Sequence, residues 1–141
     1  MKKDRLFLDT NVVIDFLDER VPFYEPIARI VTLADSKIVV LVASALSYPT
    51  VDYVLSKIKG KERVKANLRR FKIVSEISAL NESVIEKGLN SKFTDFEDSL
   101  QYYCALQANC AIIITRDVKD FKESTLPVMT PEAYLRSLSG K

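Results

Sequence analysis

The chain has 141 residues, 48% apolar and 28% charged, with a formal net charge of +2, the size and composition of one globular domain that buries a core without staples. It holds no histidine, which excludes a Ser-His-Asp triad, a Cys-His pair and histidine-ligated zinc. Its three glycines form neither a Walker A loop nor a GxGxxG fingerprint, and its two cysteines, Cys104 and Cys110, read as free buried thiols of a reduced, cytoplasmic protein.

Leu6 to Leu8 are apolar without alternation, the pattern of a short strand buried on both faces, and Val12, Val13, Phe16 and Leu17 follow at helical spacing. Asp9 therefore stands at a strand-to-helix junction. Phe23, Ile27, Ile30, Val31 and Ala34 predict a second helix to about Asp35, with Pro26 in its first turn, where a missing N–H costs little. Ile38 to Val42 is a second buried strand, so strand, helix and strand form a parallel βαβ unit.

Ser44 is placed to cap a third helix carrying Val51, Val54, Leu55 and Ile58, with Pro49 either kinking it or delaying its start. Gly60 stops that helix. Val64, Leu68 and Phe71 then mark the buried face of a basic helix from about Lys61 to Arg70, whose Lys61, Lys65 and Arg69 share one exposed ridge. Ile73 and Val74 read as a short strand, Asn81 caps a helix through Leu89, and a patterned helix runs from about Phe96 to Gln107. Ala111 to Ile114 is the third buried strand, Leu126 to Met129 a candidate edge strand, and Pro131 opens a last helix to Leu138. No linker or repeat interrupts residues 1–141, so one domain of alternating β and α elements is expected. No leader is read at the N-terminus, and the longest apolar run is far short of the roughly 20 residues of a spanning helix. A soluble protein without membrane attachment follows.

Acids collect at the element boundaries: Asp9 after the first strand, Asp95 and Asp98 at the start of the Phe96 helix, Asp117 and Asp120 after the third strand. Ligands of open α/β sheets bind outside the carboxyl ends of the strands. If those strands are parallel neighbours, Asp9 and Asp117 emerge at one edge and Asp98 can join them. Carboxylates forced together repel unless a cation neutralises them, and hard oxygen ligands without His or Cys select Mg²⁺ or Mn²⁺. Helix capping is the competing explanation for Asp9 and for one member of the Asp95/Asp98 pair. The basic run from Lys57 to Lys72, opposed only by Glu62, suits a polyanion, or is a solvated helix face.

The segments Phe7-Leu8-Asp9-Thr10-Asn11-Val12, Thr94-Asp95-Phe96-Glu97-Asp98-Ser99-Leu100 and Ile113-Ile114-Thr115-Arg116-Asp117-Val118-Lys119-Asp120-Phe121 together resemble the PIN domain family in spacing, order and length, particularly its small VapC-type toxins. The resemblance implies a three-layer α/β/α sandwich around a parallel sheet. It also implies a Mg²⁺- or Mn²⁺-dependent endoribonuclease, dimeric and silenced by a cognate antitoxin. On it, Asp9, Asp98 and Asp117 match metal-binding acids, Asp120 a further acid and Asp95 an auxiliary one, while Asn11 and Thr115 match polar residues that orient them. Lys61, Lys65, Arg69 and Arg70 become candidates to grip the RNA backbone.

One position departs from the family pattern. The Glu usual about six residues after Ser44 is Thr50 here, and Asp52 lies about 200° round the helix from it. That motivates a second reading, a catalytically silent PIN-like module that binds RNA or a protein. A phosphotransfer domain fits worse, for the acidic pair and the lysine it would need are missing.

Overall fold

Alternate side chains of the first strand feed two separate cores: Leu6 and Leu8 pack into one, Phe7 into the other. The computed structural model describes residues 2–139. In it β1 (Asp4–Leu8) lies at the centre of a five-stranded parallel sheet, between β2 (Val39–Ser44) and β4 (Ile112–Ile114). The edges are β3 (Ser75–Ser78) beyond β2 and β5 (Val128–Met129) beyond β4. Register keeps like faces together. Phe7 stands opposite both Val42 and Ile113, and all three enter the same core.

The first core is closed by α1 (Thr10–Leu17), α2 (Tyr24–Asp35), α3 (Ser47–Lys59), α4 (Lys61–Ile73) and α7 (Pro131–Ser139). The second is closed by α5 (Glu82–Leu89) and α6 (Phe96–Gln107), with Phe121 from the 3-10 turn Val118–Phe121. This is the expected α/β/α sandwich. Each fully buried Leu, Ile or Phe contributes about 1.5–3 kcal/mol, and the central strands carry most of them because both their faces are covered.

The strand order sets the position of the site. The chain moves outward from β1 through β2 to β3, then returns to the other side of β1 as β4 and β5. The reversal lies between β1 and β4, and a crevice at such a switch point is where this class of sheet binds ligands.

Three local expectations change. Ile73 ends α4 and is 82% exposed, and the strand is Ser75–Ser78 instead. Ser-Glu-Ile-Ser has no apolar run because β3 is an edge strand with Glu76 and Ile77 exposed. Ser44 ends β2 rather than capping α3; its hydroxyl accepts from the Leu46 N–H at 3.0 Å. Pro49 accordingly falls in the first turn of α3, where it removes no needed donor. Ile38 precedes β2 and is exposed. Both cysteines are free and buried, as expected, and among the described residues no helix is long and apolar enough to cross a membrane.

Candidate metal centre

Asp9 follows β1 directly and is the N-cap of α1, its Oδ1 accepting from the Thr10 N–H at 2.9 Å. Capping and site-building are thus one arrangement, not competitors. Its Oδ2 accepts from the hydroxyl of Thr115 at 2.8 Å. Thr115, just past β4 and fully buried, also accepts from the Asp117 N–H at 3.1 Å and from Asn11 Nδ2 at 3.4 Å. Asn11 Nδ2 donates in turn to Asp117 Oδ2 at 3.1 Å. Asn11 and Thr115 therefore stitch Asp9 to Asp117 across the β1–β4 switch point.

Asp98 arrives from the first turn of α6. Asp95 caps that helix, its Oδ1 accepting from the Asp98 N–H at 3.1 Å, so the capping explanation holds for Asp95. Among the described residues no donor is hydrogen-bonded to the Asp98 carboxylate. Burial, then repulsion from Asp95, Asp9, Asp120 and Glu97, pushes the Asp98 carboxyl up to about 7. Asp9 is pushed up to about 6, mainly by burial, with Thr115 and Thr10 pulling the other way and Asp117 and Glu97 adding repulsion. Asp120 lies in the 3-10 turn, its N–H bonded to the Asp117 carbonyl at 3.0 Å.

Both carboxyls are raised first by burial and then by neighbouring acids, with no cationic side chain among the causes. Among the described residues no three carboxylates stand together as a finished ligand set. The donor chemistry nonetheless fits a divalent cation. Asp9, Asp98 and Asp117 are hard oxygen donors, and Asp98 has its lone pairs uncommitted.

Other candidates stand apart. Thr50 donates its hydroxyl to the Leu46 carbonyl within α3, and Asp52 accepts from Ser56. No hydrogen bond joins either residue to the acids. Lys61, Lys65, Arg69 and Arg70 are exposed on α4, and among the described residues no ion pair connects them to the acids. Arg70 instead lines a groove of about 600 Å³ with Phe16, Tyr24 and Phe71.

Three features escaped the sequence reading. Glu97, exposed in the first turn of α6, adds a little repulsion to both Asp9 and Asp98; it read as part of a cap. Gln101, three residues after Asp98 and so on its side of α6, donates Nε2–H to Thr10 Oγ1 at 2.7 Å and to Ser47 Oγ at 3.2 Å. Thr10 and Ser47 are themselves 2.7 Å apart, closing a buried triangle between the starts of α1 and α3 and the middle of α6. Asp15, buried on α1, lies 2.7 Å from Arg116 Nε, and burial raises its carboxyl against the pull of Arg116. Its place inside the apolar pattern of α1 was the available signal.

Comparison with known proteins agrees with this fold. The PIN domain family profile matches residues 5–119. Ribonuclease VapC1 of Aquifex aeolicus (strain VF5) is 32% identical over 140 residues, 95% of each chain. The crystal structure of DNA-bound VapBC from Salmonella typhimurium superposes with a TM-score of 0.68 at 16% identity, over 91% of this chain and 98% of that one. VapC20 of Mycobacterium tuberculosis, described as a Sarcin-Ricin loop cleaving toxin, gives 0.60 at 14% identity, over 77% and 86%. A profile running from β1 past Asp117, and a relative alike along almost its whole length, make the conclusion direct: the chain belongs to the PIN domain family.

Proposed function

We propose that the chain is a Mg²⁺- or Mn²⁺-dependent endoribonuclease and the toxin of a toxin–antitoxin pair. The observation that carries this reading is the unneutralised acid cluster at the β1–β4 switch point, with Asp98 and Asp9 pushed up to about 7 and about 6. The names of the relatives, a ribonuclease and a Sarcin-Ricin loop cleaving toxin, point the same way. So does the VapBC name of the Salmonella typhimurium structure, for an antitoxin partner.

Asp9, Asp98 and Asp117 would hold the cation, which when bound lowers the pKa of water and stabilises charge developing on a phosphoryl oxygen. The chain's own residues supply the rest. Thr115 and Asn11 fix the carboxylates of Asp9 and Asp117 by the hydrogen bonds above. Asp120 or Asp95, at the rim, orients the attacking water and accepts its proton. Lys61, Lys65, Arg69 and Arg70 attract the RNA backbone through salt-sensitive contacts. A homodimer acting in the cytoplasm completes the proposal.

The test is cleavage of RNA by wild type and Asp9→Asn in Mg²⁺ or Mn²⁺. Wild type cuts, and the variant, still folded by circular dichroism, does not. A fully active Asp9→Asn protein refutes the assignment. The turned-in Thr50 hydroxyl favours one rival, a silent module, and wild type that binds RNA without cutting it in either metal would establish that rival.

A further inference from the structure

A cavity of about 390 Å³ has Asp117 in its wall and none of Asp95, Asp98 and Asp120. Asp117 is hydrogen-bonded through Asn11 and Thr115 to Asp9, so whatever fills this cavity touches one of the acids proposed to hold the cation. Apolar residues of α1, α2 and α7 make much of its wall, and Phe23, Arg116, Glu132 and Arg136 provide its aromatic and charged groups.

Arg116 is fixed before any ligand arrives. Its guanidinium carbon lies 4.2 Å from the centroid of the Phe23 ring, and its Nε faces the buried Asp15 carboxylate at 2.7 Å. Among the described residues its two terminal nitrogens have no hydrogen-bond acceptor. Its charge is offset by Asp15, so it offers a planar, immobilised donor fork rather than a free cation. Glu132 and Arg136 stand one turn apart on α7, and among the described residues neither is ion-paired.

We propose that this cavity is a subsite for a guanine base of single-stranded RNA, adjacent to the scissile phosphate; the proposal rests on the ribonuclease reading above. Guanine presents two acceptors, O6 and N7, on one edge, which a guanidinium fork matches. It presents donors, N1–H and N2–H₂, on the other, which a carboxylate accepts. Arg116 and Glu132 supply that pair of partners. Adenine places an amino donor where Arg116 needs an acceptor. Single-stranded RNA is read on these exposed edges, with stacking on aromatic and guanidinium planes, and the volume lies within the range of small-ligand pockets. Arg136 is left to meet the neighbouring phosphate.

Fluorescence anisotropy of a short oligoadenylate, with and without one central guanine, tests this on the folded Asp9→Asn chain in Mg²⁺. The guanine oligomer binds roughly tenfold tighter. Arg116→Lys, which keeps a cation against Asp15 but loses the fork, removes that preference, as does Glu132→Gln on the outer rim. Plain oligoadenylate binds both variants as before. Equal binding of the two oligomers, or a preference that survives both substitutions, overturns the subsite and leaves the ribonuclease reading standing. Failure to bind either oligomer overturns the subsite, and cleavage by wild type decides the ribonuclease reading separately.

Discussion

Asp9 is asked to do two things with one carboxylate: end a strand by capping a helix, and remain available to a ligand. It does both because each oxygen takes a single donor, Thr10 N–H on one and Thr115 hydroxyl on the other, leaving further lone pairs. The cost is electrostatic. In the metal-free chain Asp9 and Asp98 still bind protons at pH values where an unfolded carboxyl, at about 4, has released them. Their contribution to stability is therefore full below about pH 4 and is lost as pH rises through about 6 and about 7. Thermal melts in EDTA should show Asp98→Asn stabilised relative to wild type at pH 8 and little changed at pH 5. A variant less stable than wild type at pH 8 would show that Asp98 is held by favourable contacts instead. The acids themselves were legible from their places at strand ends. Glu97 was not, because a first-turn acid is what any helix N-terminus favours, and only the fold shows its repulsion of Asp9.

The starts of α1 and α3 are tied to the middle of α6 by Thr10, Ser47 and Gln101, all at most 8% exposed. This triangle sets the position of α6, and hence of Asp98, against α1 and Asp9. Gln101→Leu keeps the Thr10–Ser47 bond but loses two others, so urea denaturation should register a loss of about 1 kcal/mol. Gln101→Glu, burying a charge beside two hydroxyls, should cost more. Unchanged midpoints in both would mean that apolar packing alone seats α6. Periodicity revealed α6 well, since Leu100, Cys104 and Ala105 recur on one face. It hid Gln101, a polar residue on that same buried face. Strand β3 was missed for a related reason: an edge strand with two exposed residues needs no apolar run, so its pairing with β2 rather than its composition defines it. Ser47, where α3 begins, was masked by the attraction of Ser44 as a cap, although β2 continues through Ser44.

At the scale of the whole molecule, buried strands alternating with amphipathic helices were enough to indicate one domain with a parallel βαβ unit, and the two helical layers about the sheet were implied by the family resemblance. The order β3-β2-β1-β4-β5 was not readable from those patterns, because strand adjacency depends on contacts far apart in sequence. That order puts the reversal of the chain between β1 and β4, where Asp9 and Asp117 are joined through Thr115 and Asn11. The charge of the chain is divided accordingly, acids at the carboxyl edge of the sheet and a basic ridge on α4. The central claim is that the acids gathered there accept a divalent cation. Mn²⁺ titrated into metal-free protein at pH 6.5 in a weak buffer measures this directly. Saturable binding with release of protons from Asp98 and Asp9, both lost in Asp98→Asn, is the predicted result. Binding without proton release, or binding that Asp98→Asn leaves unchanged, would contradict it.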